Sequence, residues 1–414
     1  MSDSTIDSII DPASPLHPTH PAYAAERRAL LDAIARGADT ARALAGWMSE
    51  HPELALEERE TSGRYVEMLS QHGFRIATGV AGMPTAFRAV WGADTAPVSI
   101  GLLAEMDALP DIGHACGHNL SGPASLLAAE ALARVLPEDA IRLVVYGSPA
   151  EETGVGKKCL VEAGAFADVD TVMMAHASDM RRAHRLFLGN RKFDLVYHGR
   201  AAHAAAYPQQ GVNALDAVVS FYVAVGLLRQ QLSRRVRIHV IISEGGVAPN
   251  IIPERATARV WVRALDPTEL EDAAARVLAA AEGAARTSGT RLEVQPGPGG
   301  SPPMWPNPPL ADAYRRQLEF LDLPETDHAP DENIGSSDIT HVSRVVPTIH
   351  PTFPIGSGLE LHTRAFAEAT TSEQGLAGLL EGARCLALTA HELARSPGLR
   401  AAVKRAAPES ESPR

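Results

Sequence analysis

The chain has 414 residues, 38 Lys and Arg against 50 Asp and Glu, and a formal net charge of -12. That length exceeds what one hydrophobic core usually supports and predicts two domains, while the acidic balance argues against nucleic acid as a partner, since phosphate binding needs clustered Lys and Arg. The scattered Cys116, Cys159 and Cys385 exclude a disulfide framework, and no apolar run approaches the ~20 residues of a membrane span, so the expectation is a cytoplasmic protein with no membrane partner.

The Pro-rich start D-P-A-S-P-L-H-P-T-H-P and the tail A-A-P-E-S-E-S-P-R read as loosely ordered ends. From Ala24 to Met48 apolar residues recur at helical spacing and lead into H-P-E-L-A-L-E-E, after which Glu58 to Gly73 form a second amphipathic helix. Short β-type runs then alternate with helical ones: V-S-I-G-L-L-A-E, a helix from Ser121 to Val135, I-R-L-V-V-Y, a helix near Lys157 to Ala163, and T-V-M-M-A. This is the pattern of an α/β fold, a mostly parallel sheet with helices on both faces. After Gly189 the order becomes β-α-β-β-α-β, the ferredoxin-like α+β motif. The expected organisation is therefore residues 1–189 as the first part of a catalytic domain, 190–297 as an inserted domain and 298–414 as the second part, with the run P-G-P-G-G-S-P-P-M-W-P marking the return.

Chemistry concentrates in E-M-D-A-L-P-D-I-G-H-A-C-G-H, residues 105–118, where the C-x-H of Cys116 and His118 offers a thiolate and an imidazole to one metal ion. Further ligand types follow apolar runs that read as strands: Glu151 and Glu152 after I-R-L-V-V-Y-G-S-P-A, His176 after V-D-T-V-M-M-A, and His362 after G-S-G-L-E-L. Strand ends are where open α/β sheets place their active sites. In an extended segment Glu151 and Glu152 would point opposite ways, one toward metal and one toward water. A carboxylate there can act as general base on a water whose pKa the metal has lowered to about 7. Alone, the pair reads equally as exposed acids at a helix start; beside the other ligand types the catalytic reading prevails.

Asp107 can hydrogen-bond a ligating His and fix its tautomer, or form a turn before Pro110. His114 is the weaker histidine of its motif, suited to satisfying a loop carbonyl. His203, in H-G-R-A-A-H-A-A, can donate to an oxyanion if the inserted domain closes over a site, and a partly buried turn histidine is equally consistent. In E-G-G-V-A-P-N-I-I-P-E-R, Asn250 and Arg255 are candidate grips on a substrate carboxylate. Asp338 in G-S-S-D is a substrate or ligand-supporting contact, with an N-cap as strong competitor. Arg181, Arg182, Arg185 and Arg191 read as a solvated basic face of which one member can meet an anion, and Cys159 and Cys385 as core thiols.

Taken together, E-M-D-A-L-P, G-H-A-C-G-H-N, S-P-A-E-E-T, H-G-R-A-A-H-A-A, E-G-G-V-A-P-N-I-I-P, G-S-S-D and L-H-T-R resemble the amidohydrolase branch of the M20 metallopeptidase family over nearly the whole chain. The resemblance implies Cys116, His118, Glu152, His176 and His362 as ligands of one or two divalent ions (manganese, zinc or cobalt), with Glu151 as general base. It implies His203, Asn250 and Arg255 as substrate or oxyanion contacts, and the inserted domain as a lid that also joins a homodimer, with His203 reaching a neighbouring site. One departure is Glu105, where many members carry a metal-binding His two residues before the Asp. The implied reaction is hydrolysis of a C–N bond in a small carboxylate-bearing substrate, the amide of an N-acyl or aminoaroyl amino acid. Hydrolytic deamination of an aromatic amine such as a nitro-substituted anthranilate is the alternative within the branch. A catalytically idle metal-binding protein is a third reading, disfavoured by Glu151.

Overall fold

A computed structural model describes residues 21–297, 299–327 and 334–408; most of the segments read as loosely ordered ends lie outside them. The chain divides into two compact units, one built from the residues up to Leu186 with Trp305–Ile334 and the residues from His341 on, the other from Phe187–Met304 with Gly335–Thr340. Among the described residues, no helix is long and apolar enough to cross a membrane.

The first unit carries β1 (Arg75–Thr78), β2 (Phe87–Trp91), β3 (Ser99–Glu105), β4 (Arg142–Ser148), β5 (Thr171–Met173) and β6 (His176–Ser178), then β11 (Thr348–Ile349) and β12 (Thr352–Pro354) after the second unit. Six of these form one sheet in the order β1-β2-β4-β3-β5-β11. The β3–β4, β3–β5 and β5–β11 pairs are parallel, while β1–β2 and β2–β4 are antiparallel, so the sheet is parallel-rich with an antiparallel edge. All seven residues of β3 are buried, which explains its unbroken apolar run: a central parallel strand has no wet face to alternate toward. Ile100, Leu102 and Ala104 join the large core formed with the helices Pro21–Glu50, His118–Val135 and Glu373–Arg395. On the other face Tyr146 packs against Phe166, ring centroids 4.6 Å apart.

The second unit contains β7 (Gly189–His198), β8 (Arg237–Glu244), β9 (Arg255–Ala264) and β10 (Arg291–Pro296), with helices Ala214–Leu228 and Pro267–Ser288 between them in the chain. Its sheet is antiparallel in the order β10-β7-β9-β8, the arrangement of a ferredoxin-like fold. Both helices start on side-chain caps: Asn213 accepts from the Leu215 N–H at 2.9 Å, and Asp266 from the Glu269 N–H at 2.9 Å just before Pro267. Their buried faces meet Leu195, Tyr197, Val260 and Val262 in a separate core.

Candidate metal centre

The C-x-H pair converges because of the residue between its members. Gly117 sits at φ 84°, in the left-handed region, where an added Cβ would lie 2.6 Å from the Ala177 Cβ. The turn it allows ends at the first residue of helix His118–Val135 and leaves the Cys116 sulfur and the His118 ring on one cluster. The His118 Nδ1 faces the Asp107 carbonyl oxygen at 2.8 Å and its Oδ1 at 3.3 Å, leaving Nε2 inward. His176 is oriented the same way: its Nδ1 lies 2.7 Å from the Ala177 carbonyl oxygen, and its Nε2 is 3.7 Å from the Cys116 sulfur. A carbonyl beside Nδ1 fixes the tautomer that keeps the Nε2 lone pair for a metal.

Donor atoms of Cys116, His118 and His176 lie within 4.8 Å of one another, as do those of Cys116, His118, Glu151 and Glu152. The expectation that Glu151 and Glu152 point apart is corrected here. Residues 151–154 form a turn, not a strand, and Ala150 before them has φ 58°, so both carboxylates reach the cluster while the Glu152 N–H is held by Asp107 Oδ2 at 3.0 Å. His362 likewise follows no strand; it stands in a turn at φ 65°, its N–H bonded to the Ala115 carbonyl at 2.9 Å, with Nε2 3.5 Å from Glu152 Oε2.

The electrostatics fit a cation. Among the described residues, Glu105 Oε2, His118 Nε2 and Glu152 Oε1 are buried without a hydrogen-bond partner, an arrangement that is costly unless an ion takes them up. Burial pushes the Glu152 carboxyl up to about 7 and the Cys116 thiol well up, and it drives His176 down to about 3 with His118 adding to the effect. Burial opposes charge on His118 as well, yet Glu105 and Cys116 raise its pKa well above the ordinary value. Protons thus occupy the site when no metal does, and a divalent ion would replace them with thiolate, carboxylate and neutral imidazole. Donor separations of 3.4 to 3.8 Å match the edges of a coordination shell whose bonds are roughly 2.0–2.3 Å.

Three features of the site escape sequence reading. Lys157 donates to Glu105 Oε1 at 2.6 Å, both side chains fully buried, and Glu105 Oε2 lies 3.4 Å from His118 Nε2 and 3.8 Å from His176 Nε2. Glu105 therefore faces the ligands, where the sequence showed only a departure from the usual His. His350 stacks on His176 with ring centroids 5.0 Å apart. Glu58 accepts the Ala150 N–H at 2.9 Å; only the acidic end of H-P-E-L-A-L-E-E hinted at a role.

The other candidate residues are placed as follows. His203, Asn250 and Arg255 are exposed in the second unit: His203 Nδ1 accepts from Ala205 and Ala206 at 3.3 and 3.2 Å, the Asn250 carbonyl accepts from Ala204 at 3.0 Å, and Arg255 pairs with Glu244. Asp338 is buried, and so is His114. Of the basic cluster, Arg181 is committed to Glu381 at 2.7 and 2.8 Å, Arg191 pairs with Glu271, and Arg182 is buried. Cys385 is a core thiol, whereas Cys159 is only half-buried.

Comparison with known proteins places this geometry in context. A family model described as a peptidase dimerisation domain matches residues 188–288. The Xaa-Arg dipeptidase of Mus musculus is 35% identical over 396 residues, 92% of this chain and 91% of the relative. One of the two kinds of chain in the p-aminobenzoyl-glutamate hydrolase of Escherichia coli is 32% identical over 321 residues, 72% of this chain and 66% of the relative. Among solved structures, a dinuclear metal-binding peptidase of the M20 family from Bacillus subtilis shares the fold at a TM-score of 0.71 and 19% identity, covering 87% of this chain and 99% of that one.

Proposed function

This chain belongs to the M20 peptidase family of hydrolases, and from that premise we propose that it hydrolyses the amide of a small carboxylate-bearing substrate, an N-acyl or aminoaroyl amino acid, with one or two divalent ions held by Cys116, His118, Glu152, His176 and His362. The observation that carries this reading is the gathering of donor atoms from Cys116, His118, Glu151 and Glu152 within 4.8 Å, with His176 in an overlapping set. Bound there, manganese, zinc or cobalt would lower the pKa of a water and polarise the carbonyl under attack. Glu151 takes the proton of that water and returns it to the leaving nitrogen. Asp107 holds the tautomer of His118 and, through Oδ2, the Glu152 backbone. His203 is assigned to the oxyanion, Asn250 and Arg255 to the substrate carboxylate, and Asp338 to substrate or ligand support.

A dipeptide is the second substrate reading, favoured by the 35% identity to a protein named Xaa-Arg dipeptidase over 92% of this chain. Aromatic deamination has the branch resemblance behind it and no feature of the site in particular. The second unit is proposed to pair with its copy, supported by the match to a dimerisation domain and by Val219, Tyr222, Val223 and Leu227 standing exposed along one helix.

The test is Glu151→Gln in metal-loaded protein, assayed on hippurate, aminobenzoyl-glutamate, dipeptides and substituted anthranilates. Metal content is expected to stay at the wild-type level while turnover falls about 10²- to 10⁴-fold, the span of a lost general base. Retained turnover removes Glu151 from that role. Ammonia release from anthranilates without amide cleavage would replace the main reading by the deaminase one.

A further inference from the structure

The segment H-P-E-L-A-L-E-E, residues 51–58, binds no metal and moves no proton in the proposed reaction, yet it grips both loops that do. The Glu53 carbonyl accepts from the Ala108 N–H at 2.8 Å, and Leu54 bridges Ala108 in parallel, directly after Asp107. The Glu53 carboxylate takes the Glu60 and Thr61 N–H groups at 2.9 and 2.8 Å, fastening the segment to the start of helix Arg59–Gln71. At its far end Glu58 is fully buried. Its Oε1 accepts from the Leu56 N–H at 3.0 Å and the Ala150 N–H at 2.9 Å, and its Oε2 accepts from the Thr85 hydroxyl at 2.9 Å.

The Ala150 contact matters because of what that residue does. At φ 58° it occupies the left-handed region that side chains with a Cβ rarely adopt, and such a conformation persists only where its surroundings over-determine it. On the far side the Val155 and Gly156 N–H groups return to the Ala150 carbonyl at 3.3 and 3.4 Å. A Cβ on Gly156 would lie 1.7 Å from the Pro149 carbonyl oxygen, so the turn is closed tightly there. The remaining peptide hydrogen, on Ala150 itself, is taken by Glu58.

We propose that Glu58 is a positioning residue: its carboxylate holds the Ala150–Glu152 turn in the form that presents both acids to Cys116 and His118. The catalytic consequence rests on Glu151 being the base; the grip on the turn does not. An ionised carboxylate accepts peptide N–H groups more strongly than a neutral amide, so Gln at this position preserves the Ala150 bond in weakened form and Ala removes it.

Wild type, Glu58→Ala, Glu58→Gln, Thr85→Val and Glu151→Gln are compared as full chains saturated with manganese. Amide hydrogen exchange is followed by mass spectrometry, with metal content, kcat and KM on the fastest amide of the panel. Glu58→Ala is expected to speed exchange in 149–156 at least tenfold and lower kcat about 100-fold, as a misplaced catalytic group does, with KM within threefold. Glu58→Gln should recover at least tenfold of that kcat. If Glu58→Ala fails to fold, Thr85→Val, which removes only the Oε2 partner, should still speed exchange in 149–156 over wild type. The proposal is overturned if exchange in 149–156 is unchanged in the variants that fold, if kcat stays within threefold of wild type in Glu58→Ala, or if Gln is as poor as Ala. An active Glu151→Gln would refute the base assignment and leave the grip to be judged by exchange alone.

Discussion

Replacing Lys157 with Met should destabilise the first unit more than any other single change to a charged side chain in it. The ammonium and the Glu105 carboxylate meet at 2.6 Å with both side chains at 0% exposure. At an effective dielectric of about 20 the gross attraction at that separation is about 6 kcal/mol, most of which offsets the cost of taking two charges out of water. Met fills similar volume but leaves Glu105 buried with no counter-charge on Oε1, and breaking a buried pair from one side costs about 3–5 kcal/mol. His118, beside Oε2 at 3.4 Å, can lend a proton in metal-free protein and so moves the loss toward the lower figure. Urea unfolding of metal-free Lys157→Met, Glu105→Gln and the double variant, followed by fluorescence, checks it. The double variant is expected to regain at least about 2 kcal/mol over Lys157→Met, since a neutral pair leaves no stranded charge. A loss below about 1 kcal/mol in Lys157→Met, or a double variant as weak as the single, would show that the pair carries no such energy.

Two further outcomes follow from the same physics. Burial holds His114 down at about 3, against an ordinary value of 6.5, so the folded chain binds fewer protons than the unfolded one between these values. Its contribution is complete above about pH 6.5 and is lost as pH falls toward 3, with a slope of up to about 1.4 kcal/mol per pH unit; His114→Gln should flatten the slope of a chemical-denaturation series by about one proton. On the second unit, Val223→Asp with Leu227→Asp charges the exposed face of helix Ala214–Leu228. Sedimentation should then give the mass of one chain where wild type gives two, with the metal content per chain unchanged; a wild-type monomer at micromolar concentration would remove the dimer.

Much of this molecule was legible from local pattern. The C-x-H pair, the adjacent glutamates and His176 announced their chemistry through residue type, and the ferredoxin-like order of the second unit was visible because strand and helix periods alternate along the chain. Local pattern failed where backbone conformation departs from the regular. Glu151 and Glu152 were assigned to an extended segment because they follow β4, but the left-handed Ala150 reverses the chain and turns both inward. His362 was attached to a strand on the strength of G-S-G-L-E-L, a short apolar run that forms a turn instead.

The sequence by itself determined which atoms can ligate, since thiol, imidazole and carboxylate donors are properties of side chains wherever they stand, and it determined the layered architecture, since apolar periodicity is a local property. Only the tertiary structure decided which lone pairs face the ion and which charges compensate one another. Lys157 is 52 positions from Glu105 and Glu58 is 92 from Ala150, and no periodic signal spans such separations. Those partners are set by how the ends of β3 and β4 emerge side by side from a parallel pairing and by which buried polar groups then have only each other to satisfy.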